Sequence, residues 1–217
     1  MTADRAALPE AVLAAAADRR GGATEIARRA LGGLLEIAGD RELLAAAADL
    51  LLAGQPAMAP VWHLARAARG DHPAAALAEL RERLDRDATA AVEVAVTWLG
   101  RHPGAVATVS HSSQVDAVLE RLGPRAVEGP AAVALVGSDA VGPDALLNAA
   151  GTHALAARLP TLVVSTPLKL VPAAVFARLV APGFEAVPLG LVAAVALGPE
   201  LLSPAEAGRR AAALEGG

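Results

Sequence analysis

The sequence predicts an α/β protein in two parts: a helical amino-terminal domain over residues 1–100, followed by a domain over residues 101–217 built on a reduced parallel sheet. Three observations predict it. Amphipathic helical periodicity runs almost unbroken to Leu99. The segment Gly100 to Gly104, GRHPG, then sets a helix breaker at each end with a proline between them. Beyond it, short apolar runs alternate with helical stretches, which is the pattern of strands and crossover helices in a parallel sheet.

The 217 residues suffice for a real core in one domain or two small ones. Hydrophobic residues make up 54% of the chain but aromatic residues only 2%, so that core must be Ala, Leu and Val packed closely. A net charge of -4, from 19 basic and 23 acidic residues, offers no positive surplus for nucleic acid or an anionic membrane. Lys169 is the only lysine. The absence of cysteine excludes disulfides, thiolate metal sites and cysteine nucleophiles. No run approaches the roughly 18 to 20 apolar residues of a membrane helix. Asp4 and Arg5 do not introduce a signal-peptide core, so a cytoplasmic location is expected.

Element by element, Leu8 to Arg19 reads as a first helix, broken by Gly21 and Gly22. Thr24 is placed to cap a second, with Ile26, Ala30, Leu34 and Ile37 on one face. A third carries Leu43, Leu44, Ala47, Leu50 and Leu51 and ends at Gln55 and Pro56. Met58, Val61, Ala65 and Ala68 stripe a fourth, and a fifth opens at Asp71 or His72 with Pro73 at its first position and runs towards Leu99. After the GRHPG break come a strand over Ala105 to Val109, a helix over Ser112 to Leu122 and a strand over Ala132 to Val136. A helix over Asp144 to Arg158, a strand over Thr161 to Ser165 and a short helix over Pro172 to Val180 follow. Phe184 to Val187 and Leu191 to Leu197 supply further strands. A final helix is capped by Ser203, with Pro204 first and Glu206 third.

Candidate chemistry gathers on one stretch, VALVGSDAVGPDALLNAAGT, Val133 to Thr152. Its apolar opening reads as a strand buried on both faces, and Asp139 falls just past the strand's carboxyl end, where open α/β sheets leave a ligand crevice. Asn148, Gly151 and Thr152 fall in the first turns of the helix expected from Asp144. If the sheet is parallel, three strand ends converge on one edge: SHSS at Ser110 to Ser113, GSD at Gly137 to Asp139, and STPLK at Ser165 to Lys169. Ser112 and Ser113 begin a helix, whose free amides and dipole favour a phosphate, and Lys169 supplies a cation. His111 with Ser110, Ser112 and Asp139 invites comparison with a Ser-His-Asp triad, but the GxSxG elbow is absent. His63, His72, His102 and His153 lack metal-ligand spacing, so neither a metal nor a cofactor is expected. The pairs Arg19, Arg20 and Arg28, Arg29 read as solvated helix surface.

These segments resemble the initiation-factor-2B-like family, which holds the regulatory subunits of a eukaryotic translation factor and two sugar-phosphate isomerases. TVSHSSQVDAVL, Thr108 to Leu119, resembles the family's Thr-His-x-x-Ser segment. VALVGSDAVGPDALLNAAGTHALAA, Val133 to Ala157, is similar to its Gly-Ala-Asp segment with the later Asn-Lys-x-Gly-Thr. LPTLVVSTPLKLVP, Leu159 to Pro172, resembles a strand that ends near a lysine, and weaker matches are GGATEIARRAL, QPAMAPVWHL and FEAVPLGLV. The resemblance implies a helical domain followed by a Rossmann-like domain that dimerises, and a pocket for a phosphorylated small molecule.

Departures from the pattern set the functional expectation. Ser110 stands where the isomerases carry a catalytic cysteine, while their catalytic aspartate falls on Asp139. Ala149 replaces the lysine of Asn-Lys-x-Gly-Thr. Only about ten residues separate Leu122 from Ala132, where the family fits further strands and an arginine-bearing phosphate segment. The expectation is a shortened, non-catalytic or regulatory relative, a homodimer with a reduced pocket for a sugar phosphate or nucleotide. An aldose-ketose isomerase using Asp139 as general acid or base, with His111 as base to Ser110, is the alternative. A purely structural assembly partner is the third reading.

Overall fold

The computed structural model describes residues 7–109, 112–123 and 130–214. Five helices come first: α1 (Glu10–Ala17), α2 (Ala23–Glu36), α3 (Arg41–Gly54), α4 (Ala59–Arg69) and α5 (Pro73–Gly100). The apolar stripe predicted for α2 is buried, with Ile26, Ala30 and Leu34 wholly covered. Asp40 caps α3 by accepting from the Glu42 and Leu43 amides, the side-chain bond that satisfies otherwise unpaired first-turn donors. Thr24 does not cap α2 as expected. The helix starts two residues earlier, Gly22 holds the cap position without a side-chain bond, and the buried Thr24 hydroxyl turns to Gln114 Oε1 at 3.3 Å.

The remainder alternates. In chain order it comprises β1 (Ala105–Ala107), α6 (Ser113–Leu122), β2 (Ala131–Val136), β3 (Ala140–Val141), β4 (Ala145–Ala149), α7 (Thr152–Ala156), β5 (Thr161–Ser165), α8 (Ala173–Phe176), β6 (Phe184–Pro188), β7 (Ala194–Leu197), β8 (Glu200–Leu202) and α9 (Pro204–Ala212). The principal sheet has strand order β1-β2-β5-β7-β8; its first four strands are parallel and β8 closes the edge antiparallel. The chain is therefore α/β, helical first and then built on a mostly parallel sheet. Several strands are shorter than expected, β1 ending at Ala107 and β7 beginning only at Ala194. α8 likewise spans Ala173–Phe176 where a helix to Val180 is expected.

Both faces of that sheet are covered, and the side-chain period of two sorts them. Val133 and Leu135 of β2, Leu162 and Val164 of β5, and Ala194 and Ala196 of β7 pack with Val115 and Val118 of α6. The same layer includes Ala91, Val92, Ala95 and Leu99 of α5. The intervening Val136, Val163, Val195 and Leu197 face the opposite layer, with Ala207 and Ala211 of α9. Helix α5 is 28 residues long and serves two cores: Leu77 and Leu84 belong to the helical bundle, while its last turns lie on the sheet.

The helix expected over Asp144 to Arg158 is not formed. Residues 145–149 are strand β4, which pairs antiparallel with β3 (Val141 with Leu146) and with β6 (Asn148 with Glu185) in a separate three-stranded sheet. Gly142 donates to the Ala145 carbonyl at 2.8 Å and closes a tight β3–β4 turn. Ala and Leu favour helix, but pairing with a strand some forty residues on overrides that local preference. Gly151, with φ of 100°, turns the chain out of β4, and only the five residues of α7 remain helical. The last helix matches expectation, Ser203 Oγ accepting from the Glu206 amide.

Candidate functional site

The carboxyl ends of β2 and β5 are neighbours because these strands pair in parallel, Val136 beside Val163. Chain leaving β2 passes through Ser138 and Asp139, and chain leaving β5 enters a single 3-10 turn at Pro167–Lys169. The Ser138 and Ser165 hydroxyls bond each other at 2.9 Å and fasten the two exits together. The tip of α6 arrives at the same edge, and Gly137 is needed there: a Cβ would come within 3.0 Å of Ser112 Oγ.

These groups line a cavity of about 190 Å³ with Asp18, Arg19, Arg20, Gly21, Gly22, Ala23, Gln55 and Met58 from the helical part. Ser112, Ser138, Asp139, Asn148, Ala149, Lys169 and Phe184 complete its wall. Four of the residues singled out in the sequence, Ser112, Asp139, Asn148 and Lys169, thus meet in one space. Thr152 stands behind it, its hydroxyl accepting from Asn148 Nδ2 at 3.0 Å and donating to the Ala149 carbonyl at 2.7 Å. Gly151 serves the turn. Ser113 points elsewhere, into a shallow depression shared with Thr24, Arg28, Gln114 and Arg121. Ser110 and His111 lie outside the described residues.

Asp139 is held by its backbone, its amide donating to the Leu147 carbonyl at 2.8 Å and its carbonyl accepting from Ala59 at the start of α4 at 3.0 Å. The residue is partly exposed, and it lines the cavity. Burial raises its pKa to about 6, with Lys169 acting in the opposite sense. Lys169 is 2% exposed, and Nζ donates to Gln114 Oε1 at 3.2 Å. Burial draws its pKa down to about 8, against the pull of the Asp139 carboxylate. The cavity therefore holds a titratable pair whose two members both respond near neutral pH.

The helical contribution is one the sequence reading missed. Arg19 and Arg20 are not on a helix face but in the loop between α1 and α2. Arg19 is structural, its guanidinium donating to the Ala16, Asp18 and Gly54 carbonyls where α1 and α3 end. Asp18 Oδ1 accepts from the Arg20 and Gly21 amides, both at 2.8 Å, and Oδ2 accepts from Arg29. Those bonds hold the Asp18 carboxyl below the ordinary range, the Gly21 amide contributing most. The ordered loop sets Arg20 at the rim beside the uncapped start of α2. The nearest signal was the GGATEIARRAL match, which begins at Gly21, just past Arg20; Gln114, which bridges Thr24 and Lys169, left no comparable trace.

No protein-family model matches the sequence, and no curated protein matches it. Solved structures match it in fold. The translation initiation factor eIF-2B of Pyrococcus horikoshii OT3 superposes with a TM-score of 0.72 at 18% identity, covering 92% of this chain and 99% of that one. A subunit of the tetrameric eIF2B-beta2-delta2 complex of Chaetomium thermophilum gives 0.67 at 14% identity, covering 92% and 91%. The 5-methylthioribose 1-phosphate isomerase of Pyrococcus horikoshii OT3 gives 0.56 at 13% identity, covering 93% and 86%. The likeness is one of fold, and it extends over both the helices and the sheet.

Proposed function

We propose that this chain is a relative of the initiation-factor-2B-like proteins that binds a small phosphorylated sugar in the cavity between its helices and its sheet, and that acts through binding rather than turnover. One observation carries the reading: Arg20 and Lys169, from opposite parts of the chain, share a cavity with Asp139. A phosphate fits the Arg20 rim, where the unpaired first amides and positive dipole end of α2 add to the guanidinium. Ser112, Ser138 and Asn148 offer hydrogen-bonding groups for sugar hydroxyls in the same wall. Ser110 in place of the isomerases' cysteine and Ala149 in place of their lysine argue for a ligand held rather than converted. The solved relatives include a tetrameric translation-factor complex, and self-association through the sheet part, as a homodimer, belongs to this proposal.

The isomerase reading has one observation in its favour. Asp139 titrates at about 6, so it is suited to take a proton from one carbon and return it to the next near neutral pH. Thermal unfolding with ribose 5-phosphate, ribose 1,5-bisphosphate and adenosine monophosphate separates the readings. A ligand at 100 times its Kd stabilises by about 2.7 kcal/mol, roughly 5 to 10 °C in Tm for a chain of this length. The expected result is a shift for one of the sugar phosphates that Arg20→Ala removes, without turnover. Turnover that Asp139→Asn abolishes would favour the isomerase, and no shift with any compound would refute a ligand pocket.

A further inference from the structure

Of the 19 basic residues, Lys169 is the only lysine. Every ion pair at the described surface uses arginine, as in Arg28 with Asp85, Arg69 with Asp49 and Arg121 with Glu93. A guanidinium carries charge as well as an ammonium does, but it cannot be deprotonated in a protein and so cannot act as a nucleophile. Position 169 thus keeps the one side-chain amine of the chain, and keeps it in the cavity rather than at the surface.

Its surroundings are unlike those of a structural charge. Among the described residues no carboxylate oxygen lies within 4.0 Å of Nζ, whose hydrogen-bond partner is the neutral Gln114 amide oxygen. Pro167 and Leu168 precede it and Leu170 follows, and both leucines are buried. Asp139 faces the same cavity, near enough to act on Lys169 electrostatically. Buried amines with depressed pKa values beside a proton donor are the groups that condense with carbonyl compounds.

We propose that Lys169 Nζ captures the open-chain carbonyl of a sugar phosphate as an imine, with Asp139 as the acid that expels water. This rests on the sugar-phosphate reading above for the ligand's phosphate end. The neutral amine's lone pair forms a C–N bond to the carbonyl carbon while the C=O π pair moves to oxygen, and a proton passes from nitrogen to that oxygen to give a carbinolamine. Protonated Asp139 then gives its proton to the carbinolamine hydroxyl. The C–O bond breaks, water leaves, and the nitrogen lone pair closes the C=N bond. A neutral amine and a neutral carboxyl become an iminium and a carboxylate, with no oxidant or reductant. Condensation is reversible, so occupancy follows the concentration of the open-chain carbonyl compound.

The test is reductive trapping. Wild-type protein at pH 7, between the two pKa values, where neutral amine and protonated carboxyl coexist best, is incubated with dihydroxyacetone phosphate or ribose 5-phosphate, reduced with sodium borohydride, and read by intact mass and peptide mapping. The expected product is one reduced adduct per chain at residue 169. Lys169→Arg and Lys169→Met should each lose it, and Asp139→Asn should slow its formation roughly a hundredfold, the contribution of a positioned acid. Inorganic phosphate should slow labelling of the wild type, a readout that needs no folded variant. Thermal stabilisation by the sugar phosphate without an adduct at 169 would overturn the imine and leave the pocket standing. Neither stabilisation nor adduct would overturn both, and an adduct confined to the terminal α-amine would overturn the imine. Unchanged labelling in Asp139→Asn would overturn the role of Asp139.

Discussion

Replacing Asp139 with Asn isolates the energetic consequence of placing a carboxyl in this cavity. In the folded chain its pKa is about 6, against 3.8 for an ordinary aspartate. A raised carboxyl binds its proton more tightly folded than unfolded, so stability falls as pH rises from about 4 to about 6 and stays reduced above that. A shift of this size corresponds to about 3 kcal/mol at 1.36 kcal/mol per unit. Asparagine does not titrate. The stability of Asp139→Asn relative to wild type should therefore increase by about 3 kcal/mol between pH 3 and pH 7, and common effects of pH on other groups cancel in the difference. Urea denaturation at one-unit intervals of pH measures it, or Tm does, where the change should be roughly 6 to 12 °C. Lys169 stays charged through most of this range and does not reverse the sign. A stability difference that is constant from pH 3 to pH 7 would refute the claim that the cavity desolvates this carboxyl.

Lys169→Met should show the opposite dependence at higher pH. The lysine's lowered pKa, about 8 against 10.5, penalises its charged form below pH 8, so wild type should gain about 3 kcal/mol relative to the variant between pH 8 and 10.5, read by the same titration. Gly208→Ala should lower Tm by several degrees, because the new Cβ would sit 2.1 Å from the Pro143 carbonyl oxygen and lift α9 off the β3–β4 turn. Ser203→Ala removes the bond to the Glu206 amide and should cost about 1 kcal/mol, or roughly 2 to 4 °C in Tm, with no effect on ligand binding.

The parts of the fold legible in the sequence are those that local periodicity encodes. The α2 stripe of Ile26, Ala30 and Leu34 and the apolar run of β2 each bury the faces their spacing dictates. Convergence of Asp139 and Lys169 was legible too, because parallel strands bring their carboxyl ends to one edge whatever the details of the connections. Strand β4 was not: Ala145 to Ala149 is locally helix-forming, and its partner β6 lies far along the chain. Arg20 was missed because a loop between two helices carries no period, and the residues it meets from the sheet part lie more than ninety positions away. Gln114 reads as a polar residue at a helix start, and only the approach of that helix start to α2 shows that it joins Thr24 to Lys169.

Those long-range bonds bear on how the site is held. The Ala59 amide of α4 donates to the Asp139 carbonyl, His63 Nε2 of the same helix bonds the Leu170 carbonyl at 2.8 Å, and Thr24 of α2 bonds Gln114. Burial lowers the His63 pKa, which keeps this ring neutral and the contact intact near pH 7. Each bond leaves the helical part and ends on a site residue or on the residue beside one. The strand ends alone bring Asp139 and Lys169 to one edge, but their burial, and with it both pKa shifts, depends on the helices that roof the cavity. A sheet part without α2 and α4 would expose both groups to water and return them towards ordinary titration, so the reactivity argued for Lys169 belongs to the assembled chain and not to the sheet that carries it.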